Sequence, residues 1–135
     1  AGIDHVGNSR ALVPLDLESD GDVDFLVFDV LGAATVYENV SPRRGRHYLT
    51  VEARGTVSNR NGIGAKVFVT ANGRTQTHEI TAGGSFYAGP PLEAHFGLGR
   101  ASRVDEVRVV FPSGAEARLF NLAADRRLVV VEPID

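Results

Sequence analysis

The chain has 135 residues, of which 43% are hydrophobic and 23% are charged, and its net charge is −3. This length lies in the usual range of one domain and is large enough for a hydrophobic core. The absence of cysteine excludes disulfides, thiolate metal sites and cysteine nucleophiles. No apolar run reaches the ~20 residues that cross a bilayer, so no membrane span is expected. No motif or basic excess indicates binding to nucleic acid.

The first forty residues predict three short strands, near 10–16, 24–30 and 33–39, with Gly32 in the turn between the last two. Three strands are too few for an independent propeller blade, because a blade leans on its neighbours. We therefore expect residues 10–39 to pack on the rest of the chain, on a protein partner or on the remainder of a propeller.

An acidic loop joins the first two predicted strands, and its carboxylates stand at alternate positions around Gly21. The acidic residues are Asp16, Glu18, Asp20, Asp22 and Asp24. Carboxylates at this density repel one another unless a cation lies among them, and Ca²⁺ prefers oxygen ligands. The side chains of Asp16, Glu18, Asp20 and Asp24 and the backbone carbonyl of Asp22 are the predicted ligands. The alternative is a solvated acidic turn without metal.

The loop is not an EF-hand. An EF-hand requires a bidentate Glu at its twelfth position and a helix on either side. Here the twelfth position is Val27, inside the apolar run 25–28, which is typical of a buried strand. The sequence therefore predicts a calcium loop between two strands.

After a linker at 41–46, the remainder of the chain also predicts β-structure. The strands are expected at 48–53, 65–70, 74–81, 106–111, 115–120 and 128–131, the last of them largely buried. Asn72-Gly73 is the strongest hairpin signal, and a short helical turn is expected at 122–126. We predict an all-β chain, in which a three-stranded segment with the calcium loop is followed by a β-sandwich or small barrel.

The segment from Val13 to Val27, followed by Val36-Tyr37-Glu38-Asn39, resembles an FG-GAP or VCBS repeat. Such repeats form blades of the integrin-type β-propeller and carry calcium in this loop, so the resemblance implies a propeller-blade-like module at residues 1–40. Glu18 departs from the pattern, since the family more often has Asp or Asn at this position.

The second part resembles the ASPIC/UnbV domain, which commonly follows such repeats. The matching segments are Ser58 to Val67, Ala82 to Phe86, His95 to Gly99, Phe111 to Gly114 and Asn121 to Val131. The resemblance implies a β-rich domain over 47–135, at the C-terminus of secreted, propeller-bearing proteins related to cartilage acidic protein. A few members belong to bacterial biosynthetic clusters for enediyne-type natural products.

Candidate catalytic side chains are few. His95, Arg60 and Ser85 would have to converge in a pocket to support an enzyme. The simpler interpretations are a hydrogen-bonded structural His95, an Arg60 paired with Asp105 or Glu106, and a Ser85 that closes a turn. No catalytic motif is complete.

Three functional hypotheses follow. The favoured one is a non-enzymatic, extracellular calcium-binding β module with a structural, adhesion or assembly role. The second is the C-terminal domain of an enzyme of bacterial natural-product biosynthesis. The third is a subunit of a larger extracellular assembly. A calcium site of modest affinity fills outside the cytoplasm, so we expect a secreted, periplasmic or cell-surface location.

Overall fold

The computed structural model describes residues 2–42, 44–84, 86 and 88–134. These residues form ten strands in three sheets, none of which closes into a barrel, and they contain no helix. The described residues therefore include no helix that is long and apolar enough to cross a membrane. The all-β prediction is confirmed, and the sheet arrangement is consistent with a sandwich.

The chain divides into two compact units. The first comprises Ala1–Ser41 and Ala82–Pro91, and the second comprises Pro42–Thr81 and Leu92–Asp135. The first unit contains an antiparallel sheet of three strands in the order β1-β2-β3. Its strands are β1 (Ser9–Leu15), β2 (Asp24–Asp29) and β3 (Thr35–Tyr37).

Strand pairing gives this sheet apolar rows on both faces. Val13 pairs with Leu26, which pairs with Val36, so these three side chains share one face. On the opposite face, Phe25 pairs with Tyr37. A sheet that is solvated on one side normally alternates between apolar and polar residues, and this sheet does not.

The second unit contains two sheets. Its strands are β4 (His47–Arg54), β5 (Lys66–Ala71), β6 (Arg74–Glu79), β7 (Ala94–Gly99), β8 (Arg103–Val110), β9 (Glu116–Ala123) and β10 (Arg126–Val131). One sheet has the order β10-β4-β7 and the other β6-β5-β8-β9. All pairs are antiparallel except β10 with β4, which run parallel.

The core of the second unit lies between these sheets and confirms the predicted alternation. The inward residues of β4 are fully buried, as are those of β5 and β8, and Phe111 is 2% exposed. The residues concerned are Leu49, Val51, Ala53, Val67, Val69, Val107 and Val109. Apolar side chains at every second position thus place one face of each sheet in the shared core.

One turn of the second unit agrees with the sequence prediction and another differs from it. Asn72 and Gly73 have φ values of 49° and 72°, as a type I′ hairpin requires. The helical turn at 122–126 is wrong, because β9 continues to Ala123 and β10 starts at Arg126. Asp125, with φ of 57°, turns the chain between them.

The expectation of a largely buried last strand is also wrong. In β10 only Val130 is buried, whereas Val129 and Val131 are 42% and 52% exposed. The physical reason is that β10 lies at the edge of its sheet and turns only one face to the core.

Candidate functional site

The acidic loop between β1 and β2 is closed by its own carboxylates. Asp16 accepts hydrogen bonds from the backbone N–H groups of Asp20 (3.0 Å) and Gly21 (2.9 Å), and Asp20 accepts one from Asp22 N–H (3.0 Å). Ser19 and Gly21 have φ values of 61° and 91°, which bend the chain sharply. Short polar side chains that bind the backbone a few residues on are typical of tight turns.

The side chain of Asp24 connects the acidic loop to the segment after β3. This side chain is fully buried, and its two oxygens accept hydrogen bonds from Leu17 N–H (2.9 Å) and Asn39 N–H (2.8 Å). Leu17 lies at the start of the acidic loop and Asn39 follows β3. One carboxylate therefore joins the loop to the far side of the sheet.

The loop carries strong local negative charge. Although the Glu18 side chain is exposed, partial loss of its water raises the pKa of its carboxyl, and the negative charges of Asp24, Glu38 and Asp20 raise it further. A hydrogen bond from the backbone opposes this effect only in part. A cation placed among these carboxylates would favour their charged forms.

The donor chemistry of the loop fits a hard cation, because every candidate ligand is an oxygen. Each carboxylate offers about four lone-pair sites, so the backbone hydrogen bonds at Asp16 and Asp20 leave acceptor capacity for a metal. In the described residues, no group of three or more Asp, Glu or His side chains is arranged to hold a metal ion. Calcium binding by Asp16, Glu18, Asp20, Asp22 and Asp24 stays a prediction.

A second polar contact in the first unit ties the N-terminal segment to the end of β2. His5 Nε2 lies 2.9 and 3.0 Å from the two carboxylate oxygens of Asp29. This hydrogen bond and one from Ser9 lower the pKa of the Asp29 carboxyl. Gly7 leaves room for this contact, since a Cβ there would stand 2.1 Å from Asp29 Oδ2 and would displace that side chain.

The second unit contains a buried carboxylate that sequence reasoning missed. Glu132 follows β10 and is only 2% exposed. Its Oε2 atom accepts three hydrogen bonds from consecutive backbone N–H groups, those of Thr56 (2.7 Å), Val57 (2.8 Å) and Ser58 (2.7 Å). Successive N–H groups that converge in this way form an anion-binding nest.

The other oxygen of Glu132 is bound by hydroxyls. Oε1 accepts hydrogen bonds from Ser58 Oγ at 2.8 Å and from Ser113 Oγ at 2.5 Å. Burial acts to raise the pKa of the Glu132 carboxyl, but the hydrogen bonds from Ser113, Ser58 and Thr56 outweigh it and lower the pKa to about 2. The group is therefore charged at neutral pH.

The loop that carries the nest depends on close backbone approach. A Cβ at Gly55 would lie 2.2 Å from the carbonyl oxygen of Asn59, and one at Gly62 would lie 2.4 Å from that of Ala53. The Asn59 side chain accepts from Ile63 N–H and donates to Ile63 O, at 2.8 and 2.7 Å. Gly55, Gly62 and Asn59 thus shape a tight loop.

Two of the three candidate catalytic residues, His95 and Arg60, lie in the described part of the chain. His95 lies on β7, where Nδ1 is 3.2 Å from Thr50 Oγ1 and the ring stacks on Tyr48. Arg60 lies in the loop after β4, where its backbone carbonyl accepts a hydrogen bond from Gly55 N–H (3.2 Å). Ser85 lies outside the described residues. Of the two carboxylates considered for Arg60, Glu106 binds Arg118 instead (3.1 Å).

Comparison with known proteins concerns mainly the second unit. No curated protein matches the chain. The family model described as ASPIC and UnbV matches residues 55–135, which is more than half of the chain. This range begins at the close-packed Gly55 and includes the nest, Ser113 and Glu132. The FG-GAP or VCBS repeat expected at residues 1–40 lies outside it and stays a prediction. The chain therefore belongs to the ASPIC and UnbV family.

Proposed function

We propose that the chain is an extracellular, calcium-binding β module with a structural, adhesion or assembly role. The observation that supports this most directly is the charge of the acidic loop. There, partial loss of water and then the charges of neighbouring carboxylates raise the pKa of Glu18, and a bound cation would oppose this shift. In this proposal residues 1–40 form a repeat of the FG-GAP or VCBS type, residues 41–46 are a linker, and 47–135 are the ASPIC/UnbV domain.

The proposed ligands of Ca²⁺ are the side chains of Asp16, Glu18, Asp20 and Asp24 and the backbone carbonyl of Asp22. They lie on the loop between two paired strands, except that Asp24 is the first residue of the second strand, β2. Calcium would neutralise the loop and hold the end of the β1–β2 pair. Calcium sites of modest affinity fill at extracellular concentrations, which is why we propose a secreted, periplasmic or cell-surface location.

Thermal unfolding with calcium and with a chelator tests the site. Calcium at a hundred times its Kd would stabilise the folded chain by about 2.7 kcal/mol. We expect Asp20→Asn to weaken this response, because the amide keeps an acceptor for Asp22 N–H but loses the charge. Asp4→Asn, an exposed change outside the loop, is the matched control and should respond like the wild type. An unchanged melting temperature in saturating calcium would contradict the proposal.

The assembly role is supported by the first sheet. Leu12 and Val36 lie on opposite faces, and each is 50% exposed. Within the described chain, β1 and β3 each pair only with β2, so their outer edges carry unpaired backbone groups. We propose that this sheet packs against the remainder of a propeller or against a protein partner.

Light scattering during size-exclusion chromatography tests the assembly. If the chain associates through this sheet, Leu12→Asp or Val36→Asp should lower the measured mass. Phe120→Asp is a control, because Phe120 is 58% exposed but lies in the second unit. A monomer for the wild type and all three variants would count against the proposal.

A further inference from the structure

The nest around Glu132 has the composition of a ligand site. Three consecutive N–H groups meet one carboxylate oxygen, and two serine hydroxyls meet the other. The donors come from the loop after β4 and from Ser113 after β8, whereas the acceptor comes from the end of β10. The carboxylate and its donors are therefore separate elements that meet only in the folded chain.

We propose that residues 56–58 and Ser113 form a carboxylate-binding site, which the chain fills with its own Glu132. The ligand class is a small aliphatic carboxylate or the side chain of a Glu on an extended strand. This inference concerns the second unit and is independent of calcium.

The donors are held in place by bonds that do not involve the carboxylate. The side chain of Asn59 braces the loop through its two bonds to Ile63. Ser113 N–H donates to Ser58 Oγ (3.1 Å), and Ala115 N–H donates to Ser113 Oγ (3.1 Å). Because these contacts remain when the carboxylate is removed, the site should persist as a preorganised receptor.

The ligand follows a strand at the edge of its sheet. β10 pairs with β4 alone in that sheet; after it, Glu132 N–H donates to Arg54 O (2.9 Å) and Thr56 Oγ1 donates to Glu132 O (3.1 Å). Substitution of Glu132 by Ala keeps Cβ and removes the rest of the side chain, whose heavy atoms correspond to those of acetate. The space left in Glu132→Ala should therefore accept an acetate ion.

Acetate titration of full-length Glu132→Ala tests the site by thermal unfolding. At a hundred times its Kd, acetate should raise the folding equilibrium constant of the variant roughly 100-fold. The wild type should not respond beyond the effect of sodium chloride at the same ionic strength. Acetamide has the same shape without the charge and should act more weakly. A folded variant that responds equally to acetate and chloride would overturn the proposal.

If Glu132→Ala is unfolded in buffer, acetate should induce folding by the same linkage, and acetamide should not. If the variant stays unfolded even in acetate, a measurement on the wild type replaces it. In the wild type, carbon-13 NMR follows the signal of the Glu132 carboxyl as the pH changes. We expect its pKa to lie well below the ordinary value and to rise in Ser113→Ala, which removes one donor. Titration of the wild-type group at its ordinary value would refute the site.

Discussion

Glu132 gives the sharpest prediction, because folding buries its carboxyl and surrounds it with five hydrogen-bond donors. Its carboxyl has an ordinary pKa of 4.5, and the folded structure lowers it to about 2. A lowered pKa means that the folded state favours the charged form. The resulting stability is fully present above pH 4.5 and is lost as the pH falls towards 2.

The expected magnitude follows from these two values. The difference between 4.5 and about 2 corresponds to a roughly 300-fold gain in the folding equilibrium constant at pH 7, and to a roughly tenfold gain at pH 3. Glu132→Gln cannot ionise and keeps the size of the side chain. Its stability relative to the wild type should therefore be lowest at neutral pH and should approach the wild-type value below pH 2.

Urea unfolding at a series of pH values, followed by circular dichroism, measures this difference. Other carboxylates titrate in both proteins, so their contributions cancel in the ratio of the two equilibrium constants. Glu116→Gln is the matched control, because Glu116 is exposed and makes only surface ion pairs with Arg108 and Arg118. A ratio between Glu132→Gln and wild type that is the same at pH 7 and pH 3 would refute the reasoning.

Three further changes test packing and backbone. Phe111→Ala should lower the free energy of unfolding by about 3–5 kcal/mol in urea, whereas Phe120→Ala, at an exposed site, should change it little. Gly62→Ala should cost about 2 kcal/mol or more, because φ is 64° and the new Cβ meets a backbone carbonyl, while Gly97→Ala has open space and should be tolerated. Asp24→Ala, measured without calcium, leaves two N–H groups without their acceptor. It should destabilise the first sheet by about 2 kcal/mol or more, seen as faster amide exchange in β2.

Most strands were predictable because their cause is local, but β7, whose outward positions are His95, Gly97 and Gly99, was not predicted. Alternation along β4 and β5 reports directly which side chains face the core, and Asn72-Gly73 reports the hairpin through its own backbone preference. The edge position of β10 is not local, since it depends on which strands lie beside it. The run Leu128 to Val131 therefore looks buried in sequence but is half exposed in the structure.

The nest was missed for the same reason. Its donors are backbone N–H groups, which every residue except proline carries, so no residue pattern marks them. Glu132 and Thr56 are 76 positions apart in the chain, and only the fold brings them together. The one signal available was a charged residue directly after an apolar strand, which by itself is more typical of a solvated strand end.

The two groups of carboxylates in this chain show why the acidic loop and the nest call for different partners. Glu132 is buried, yet its pKa is lowered, because hydrogen-bond donors of the protein supply what water would have supplied. Glu18 is exposed, yet its pKa is raised, first by partial loss of its water and further by the negative charges of Asp24, Glu38 and Asp20. Hydrogen bonds within the protein thus stabilise the charged form of Glu132, whereas the surroundings of Glu18 destabilise its charged form. A carboxylate of the second kind gains most from an external cation, and this difference in electrostatics is the physical basis for proposing calcium at the loop rather than at the nest.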